Sequence, residues 1–291
     1  MDATDLLAAE FEEHRAHLRG VGYRMLGSIS EADDAVQETW LRLARSDVAE
    51  IENLRAWLTT VLARVCLTML RSRASRREEP LVAHLPDPLV TAAEDADPGA
   101  QAELADSVGL ALLVVLEMLT PAERLAFVLH DLFAVPFEEI APVVSRTPAA
   151  ARQLASRARR RVRGAAPSPD GDVARRRAVV DAFFAAARSG DFDALVAVLN
   201  PDVVLHADRG AAGAVAIRGA TTVAAQAMLF AGPSRHVRHA RVNGAPGVVV
   251  TVDGSPVSVM AFTVAGGRVA AIHALADEDR VRRLDLSTLS Q

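Results

Sequence analysis

Pro80, Pro86, Pro88, Pro98 and Gly99 fall in a stretch, 78–100, that has no apolar periodicity. Proline lacks a backbone donor and clashes with a preceding helical turn, so no single helix can cross this segment. A second break, Ala165-Ala166-Pro167-Ser168-Pro169-Asp170-Gly171, divides the remainder. On either side of the first break, residues 6–77 and 101–164 carry apolar residues at three and four spacing, the mark of amphipathic helices. Beyond the second break the pattern changes to short apolar runs separated by turn dipeptides. The chain therefore predicts two all-α domains (6–77 and 101–164) joined by the linker 78–100, then a linker at 165–171 and an α+β domain at 172–291.

In the first helical block Gly27-Ser28-Ile29-Ser30 makes the clearest break. Ser30 is read as the N-cap of a helix over about Glu31–Arg45, with Asp33 at its third position. Another helix starts near Asn53, and places Thr60, Arg64 and Arg71 on one line. In the second block Thr120-Pro121-Ala122-Glu123 has the form of a capping box with proline at the first helical position. Helices over Phe137–Val144 and Pro148–Arg163, joined by Ser145-Arg146-Thr147, form a helix-turn-helix pattern. Ala151, Leu154, Ala158 and Val162 face its core, and Arg152, Gln153, Ser156 and Arg160 lie opposite. Pro142 removes a hydrogen bond from the first of these helices, and Ser145 takes a turn position that favours glycine. A shifted or kinked first helix is expected there.

In the last block Asp172 caps a helix to about Ser189, and Asp193–Leu199 continues helical. Strand-like runs follow at Val203–His206, Val237–Val242, Val248–Val252, Ser258–Val264 and Val269–Ala274. Asn243-Gly244, Asp253-Gly254 and Gly266-Gly267 are hairpin signals between them. Helices followed by hairpins imply an α+β cone on a curved antiparallel sheet.

Charge is distributed unevenly. The net charge is −5, which by itself points away from a polyanion, yet all 32 basic residues are arginine and they cluster. Five arginines lie within Arg64–Arg77 and seven within Arg146–Arg163, whereas Glu78–Asp106 carries eight acidic residues and no arginine. Two basic blocks flanking an acidic connector suit a protein that meets nucleic acid at two places. The lone cysteine, Cys66, excludes an internal disulfide and a cysteine zinc cluster. No run reaches the roughly 20 apolar residues of a membrane span, and the acidic start Met1-Asp2-Ala3-Thr4-Asp5 lacks a signal-peptide n-region. A cytoplasmic protein with no cofactor and no bound metal is expected.

Residues Glu31-Ala32-Asp33-Asp34-Ala35-Val36-Gln37-Glu38-Thr39-Trp40-Leu41-Arg42 and Asn53-Leu54-Arg55-Ala56-Trp57-Leu58 resemble domain 2 of bacterial sigma-70-type RNA polymerase sigma factors of the extracytoplasmic-function group. Leu119-Thr120-Pro121-Ala122-Glu123-Arg124 and Phe137-Glu138-Glu139-Ile140-Ala141 resemble sigma domain 4. The last domain resembles the SnoaL-like family through Phe184–Phe192 and Leu199-Asn200-Pro201-Asp202-Val203. Sigma domains 2 and 4 fused to a SnoaL-like domain is the layout of the SigJ-like subgroup. His84-Leu85-Pro86-Asp87-Pro88 stands where that subgroup has its linker motif. Asp208-Arg209-Gly210-Ala211-Ala212-Gly213 and Asp277-Glu278-Asp279-Arg280-Val281 echo two further motifs, with departures.

The resemblance implies an alternative sigma factor, a non-enzyme that binds core RNA polymerase and directs initiation at specific promoters. Asp33, Asp34, Gln37, Glu38 and Leu41 would dock on the polymerase, and Asn53, Thr60, Arg64, Arg71 and Arg73 would meet the −10 element. Arg146, Arg152, Gln153, Ser156, Arg157 and Arg160 would meet the −35 element, arginine suiting guanine and glutamine suiting adenine. Arg146 and Arg157 are assigned to the DNA backbone. His206, Asp208 and His273 are candidates for a ligand pocket in the last domain. The only tyrosine is Tyr23, so a tyrosine oxyanion donor is absent from that domain. His236 and His239 sit three apart on a strand, facing opposite ways, and make poor metal co-ligands. The last domain is read as a regulator acting in cis. The alternatives are a bifunctional protein that binds or converts a small molecule, and a helix-turn-helix regulator that works without polymerase.

Overall fold

The computed structural model of the chain describes residues 3–48, 51–76, 85–92, 109–165, 170–232 and 234–289. It divides into two compact units, one joining Met1–Pro80 to Val115–Ala165 and the other joining Leu81–Val114 to Ala166–Gln291. The first unit thus draws on both stretches read as helical domains, and residues 85–92 of the linker fall in the second.

The first unit opens with α1 (Ala3–Leu26), α2 (Ile29–Leu43) and α3 (Leu54–Arg76). Phe11, Leu18, Leu26, Val36, Leu43, Leu58 and Leu62 are its fully buried core. Gly27 adopts a left-handed φ of 71° and its amide bonds the Tyr23 carbonyl, closing α1 so tightly that the chain turns straight into α2. The N-cap of α2 is accordingly Ser28, two residues before the expected Ser30. Trp40 packs against Phe11 with ring centroids 5.1 Å apart, as its helical position implied.

After α4 (Leu110–Glu117) comes α5 (Pro121–Phe127), which continues into a π-helical turn over Val128–Leu132. The capping box at Thr120 and Glu123 forms in both directions. The helix-turn-helix consists of α6 (Phe137–Val144) and α7 (Pro148–Ala165). The bounds of α6 are those read from the sequence, so the expected shift does not occur. Pro142 is exposed, and the bond it forgoes would have gone to the Glu138 carbonyl in the first turn. Ser145 takes φ 56°, and the amides of Ser145 and Arg146 bond the carbonyls of Pro142 and Ala141, a Schellman closure. Thr147 then caps α7 through its hydroxyl, 3.2 Å from the Ala150 amide.

The helical segments are tied by Arg124, which is 2% exposed. Its Nε donates to the Arg24 carbonyl at 3.2 Å, in the last turn of α1, and its guanidinium pairs with Glu117 at 2.8 Å. A cation at a helix C-terminus satisfies carbonyls that have no partner within the helix.

The second unit contains α8 (Val173–Ser189), α9 (Phe192–Val198) and α10 (Ala220–Phe230) on one seven-stranded sheet. Its strands are β1 (Val90–Ala92), β2 (Leu199–Asp208), β3 (Ala214–Arg218), β4 (Arg235–Val242), β5 (Ala245–Val252), β6 (Ser255–Ala265) and β7 (Arg268–Leu275), in the order β1-β4-β5-β6-β7-β2-β3. The sheet is mixed rather than antiparallel throughout, because β2 and β7 run parallel. Those strands are joined through β3, α10 and the hairpin strands β4–β6, a connection long enough to bring the chain back in the same direction. All three expected hairpins form. Asn243-Gly244 (φ 49° and 73°), Asp253-Gly254 (48° and 80°) and Gly266-Gly267 (60° and 72°) have the paired positive φ of type I′ turns.

Helices α8–α10 cover one face of this sheet through Val180, Phe183, Leu195, Val223, Val248, Val250, Phe262, Val264 and Ile272. The opposite face is also closed. Ala240, Val242, Val249, Val259, Ala261 and Leu275, which alternate with that core, are buried, as are Leu85, Leu89 and Val90 of the linker. The short helix α11 (Glu278–Arg282) packs on β6.

Candidate functional site

Three exposed helical stripes lie on the first unit. On α2, Asp33, Asp34, Gln37 and Leu41 are exposed and Glu38 is half-buried, while Ala32, Ala35, Val36 and Thr39 turn inward. Leu41 is 40% exposed, an apolar contact beside the acids. Asp33 is held by Arg19 of α1 through bonds of 2.7 and 3.1 Å, a partner that the sequence pattern did not reveal.

On α3, Arg64 and Arg71 are exposed and Thr60 is half-buried. Thr68, exposed on the same line, joins them. Asn53 caps α3, its Oδ1 accepting from the Ala56 amide at 3.0 Å. Arg73 differs from the expectation. Its guanidinium pairs with Glu31 of α2 and donates to the Leu26 carbonyl at 2.9 Å, so it staples the three helices instead of extending the stripe. Position within a helix gives direction, but only packing reveals that Leu26 and Glu31 lie within reach.

On α7, Ala151, Ala155 and Ala158 are buried, and Arg152, Gln153, Ser156, Arg157 and Arg160 are exposed. Arg146, also exposed, reaches the Ser145 carbonyl. The arginines divide by partner. Arg157 and Arg161 both pair with Glu123, at 3.2 and 2.7 Å, and Arg159 pairs with Asp131. Burial pushes the Glu123 carboxyl upward, but hydrogen bonds from Thr120 and the two guanidinium groups outweigh this and hold it below the usual range. Glu123 thus clamps the recognition helix to α5 through charge-assisted bonds.

On the second unit the linker is built into the fold. β1 adds to the sheet edge beside β4, with Val90 opposite Val242 and Ala92 opposite Ala240. Asn243 is bonded to Leu89 in both directions, by Oδ1 from the Leu89 amide at 3.1 Å and by its own amide to the Leu89 carbonyl at 2.8 Å. One turn residue therefore serves both the hairpin and the linker. At the other end of the described linker, Asp208 is fully buried and accepts from the Leu85 amide at 3.0 Å, the Gly210 amide at 3.1 Å and Arg280 at 2.7 Å. Arg280 also pairs with Asp87 at 2.7 Å and donates to the Leu85 carbonyl.

The three motif remnants meet here. Asp277 caps α11 and so sets the helix that carries Arg280. Gly210, at φ 59°, passes so close that a Cβ would run into the Asp277 carboxylate. Leu85, Pro86, Asp87 and Pro88 are in place; His84 lies outside the described residues.

His206 and His273 come together as register partners on β2 and β7, their rings stacked 5.4 Å apart. They and Asp208 alternate with Leu205 and Ile272, which belong to the helix-covered core. They therefore occupy the sheet face away from α8–α10. Burial pushes His273 down to about 3, with help from His206. His206 is lowered by burial and by Arg218. His239 lies 3.4 Å from Asp181 of α8, and is thus on the helix side. Among the described residues no group of three or more His, Cys, Asp or Glu could hold a metal, and no helix is long and apolar enough to cross a membrane.

A helical unit with two basic stripes, one on a helix-turn-helix, coupled to an α+β unit describes a DNA-binding protein of the transcription apparatus. Comparison with known proteins narrows this. Residues 11–76 match Sigma-70 region 2, and residues 109–162 match Sigma-70 region 4. The ECF RNA polymerase sigma factor SigJ of Mycobacterium tuberculosis is 47% identical over 72% of this chain and 67% of its own length. The probable ECF RNA polymerase sigma factor SigI of the same species is 36% identical over 94% of both chains. The crystal structure of Mycobacterium tuberculosis SigJ superposes with a TM-score of 0.76 at 38% identity, covering 96% of this chain and 99% of the other. The chain belongs to the extracytoplasmic-function sigma factor family.

Proposed function

We propose that the chain is an initiation factor whose C-terminal unit controls it in cis by holding the linker between its two promoter-binding parts. The observation that carries this reading is the incorporation of the linker: β1 extends the C-terminal sheet, and Arg280 clamps Leu85 and Asp87 to the buried Asp208. The stripe on α2 serves core polymerase, the stripe on α3 the −10 element and α7 the −35 element. The protein works in the cytoplasm, where polymerase and chromosome are.

A catalytic role for the C-terminal unit is disfavoured, because its buried carboxylate, Asp208, is occupied by Arg280 and by backbone amides rather than facing a substrate space. The test is reconstituted transcription from a promoter library with the full chain, a form ending near residue 165, and Arg280→Ala. Control in cis requires that the last two change promoter output or polymerase affinity. Identical behaviour of all three refutes it.

A further inference from the structure

The arginines of α7 differ in what holds them. Arg157, Arg159 and Arg161 are each tied to a carboxylate through one nitrogen, which draws them toward α5 and the turn after it. Arg152, in the second turn, is held differently: its Cζ lies 5.2 Å from the ring centroid of Phe137, the first residue of α6. A ring face attracts a guanidinium and fixes its plane, yet leaves every N–H on the edge unpaired. Such an edge matches the two acceptors of guanine in the major groove.

Phe137 is itself held. It is 7% exposed, and the His130 ring stacks on it with centroids 3.8 Å apart and planes 26° from parallel. His130 Nδ1 lies 3.0 Å from the Val135 carbonyl, which can only accept, so Nδ1 carries the proton. That bond fixes the imidazole against the start of α6.

We propose that Phe137, supported by His130, is a positioning residue for promoter recognition: it preorganises the Arg152 guanidinium for a guanine of the −35 element. The proposal rests on the assignment of α7 to that element. A cation–π contact at an exposed site is worth about 0.5–1 kcal/mol, or roughly two- to fivefold in affinity.

The test uses holoenzyme assembled from the full chain and core polymerase, selecting from promoters randomised across the −35 hexamer. Arg152→Ala is expected to erase the preference at one base position. Phe137→Leu, which keeps the apolar filling, is expected to weaken the preference at that same position two- to fivefold. Phe137→Tyr retains the ring and should restore it. In the double variant Phe137→Leu should add nothing to Arg152→Ala, because the group it positions is gone. Additive losses, or an even weakening at all positions, overturn the positioning role. No change with Arg152→Ala overturns instead the assignment of α7.

Discussion

Removing Arg280 tests the linker clamp most directly. Its guanidinium is 19% exposed and touches Asp208, which is completely buried, as well as Asp87 and the Leu85 carbonyl. Arg280→Ala leaves the buried carboxylate without its cation, and breaking a buried pair in this way costs about 3–5 kcal/mol. Partial exposure of Arg280 and Asp87 moves the expectation to the lower end, about 3 kcal/mol. Because the bonds removed run from Arg280 to Leu85, Asp87 and Asp208, this loss falls on linker docking before it falls on the sheet core.

Hydrogen exchange reads the loss residue by residue. The Leu85 amide donates to Asp208, so it should exchange about a hundredfold faster in the variant, since each 1.4 kcal/mol is a factor of ten. Amides of β5 and β6, in the middle of the sheet, should keep their protection. Arg280→Lys keeps the charge but cannot bridge three acceptors, and should fall between the two. Unchanged Leu85 exchange in Arg280→Ala would refute the clamp, and equal loss across the sheet would make Arg280 a general stabiliser instead.

Other outcomes follow from single sites. Ser145→Gly should stabilise the protein by about 1 kcal/mol in urea melts, because a side chain at φ 56° pays a left-handed penalty that glycine does not. Arg64→Ala and Arg71→Ala should each lower the salt slope of promoter binding by about one unit. Arg73→Ala should mainly lower the melting temperature, since its bonds go to Glu31 and Leu26. His273 is held down to about 3, so it is neutral when folded and takes a proton in the unfolded chain below about 6.5. Its contribution is complete above that pH and is lost as the pH falls, by up to about 1.4 kcal/mol per pH unit. His273→Asn should flatten the decline in stability between pH 6.5 and 5. Cys66, buried and pushed up to about 12, should resist thiol reagents until the chain unfolds.

Local chemistry in this chain was readable wherever its partners were neighbours in sequence. Thr120 and Glu123 stand three apart and make the capping box. The helix-turn-helix is set by helical spacing around Ser145, and the three type I′ turns by their residue pairs. The ordered motifs Glu31–Arg42, Asn53–Leu58, Leu119–Arg124 and Phe137–Ala141 carried the resemblance to sigma domains 2 and 4 despite a net charge of the wrong sign.

What the sequence could not supply were relations across long separations. Asp208 meets Leu85 across 123 residues and Arg280 across 72. Arg124 reaches the end of α1 across 100. The linker's acidic, proline-rich composition predicts an extended tether, and the described part, residues 85–92, carries a strand, β1. Whether an extended segment stays in water or completes a sheet depends on an unpaired edge elsewhere, here that of β4. Arg73 sits two positions from Arg71 and so on the other side of α3, where the Leu26 carbonyl and Glu31 make it a staple. The sequence by itself settled most of the helices, the three hairpins and, through its motifs, the family, but not β1, β3, α10 or α11. Tertiary structure decided which charges are free to meet DNA and which segment the C-terminal unit holds, because those depend on distances that periodicity does not encode.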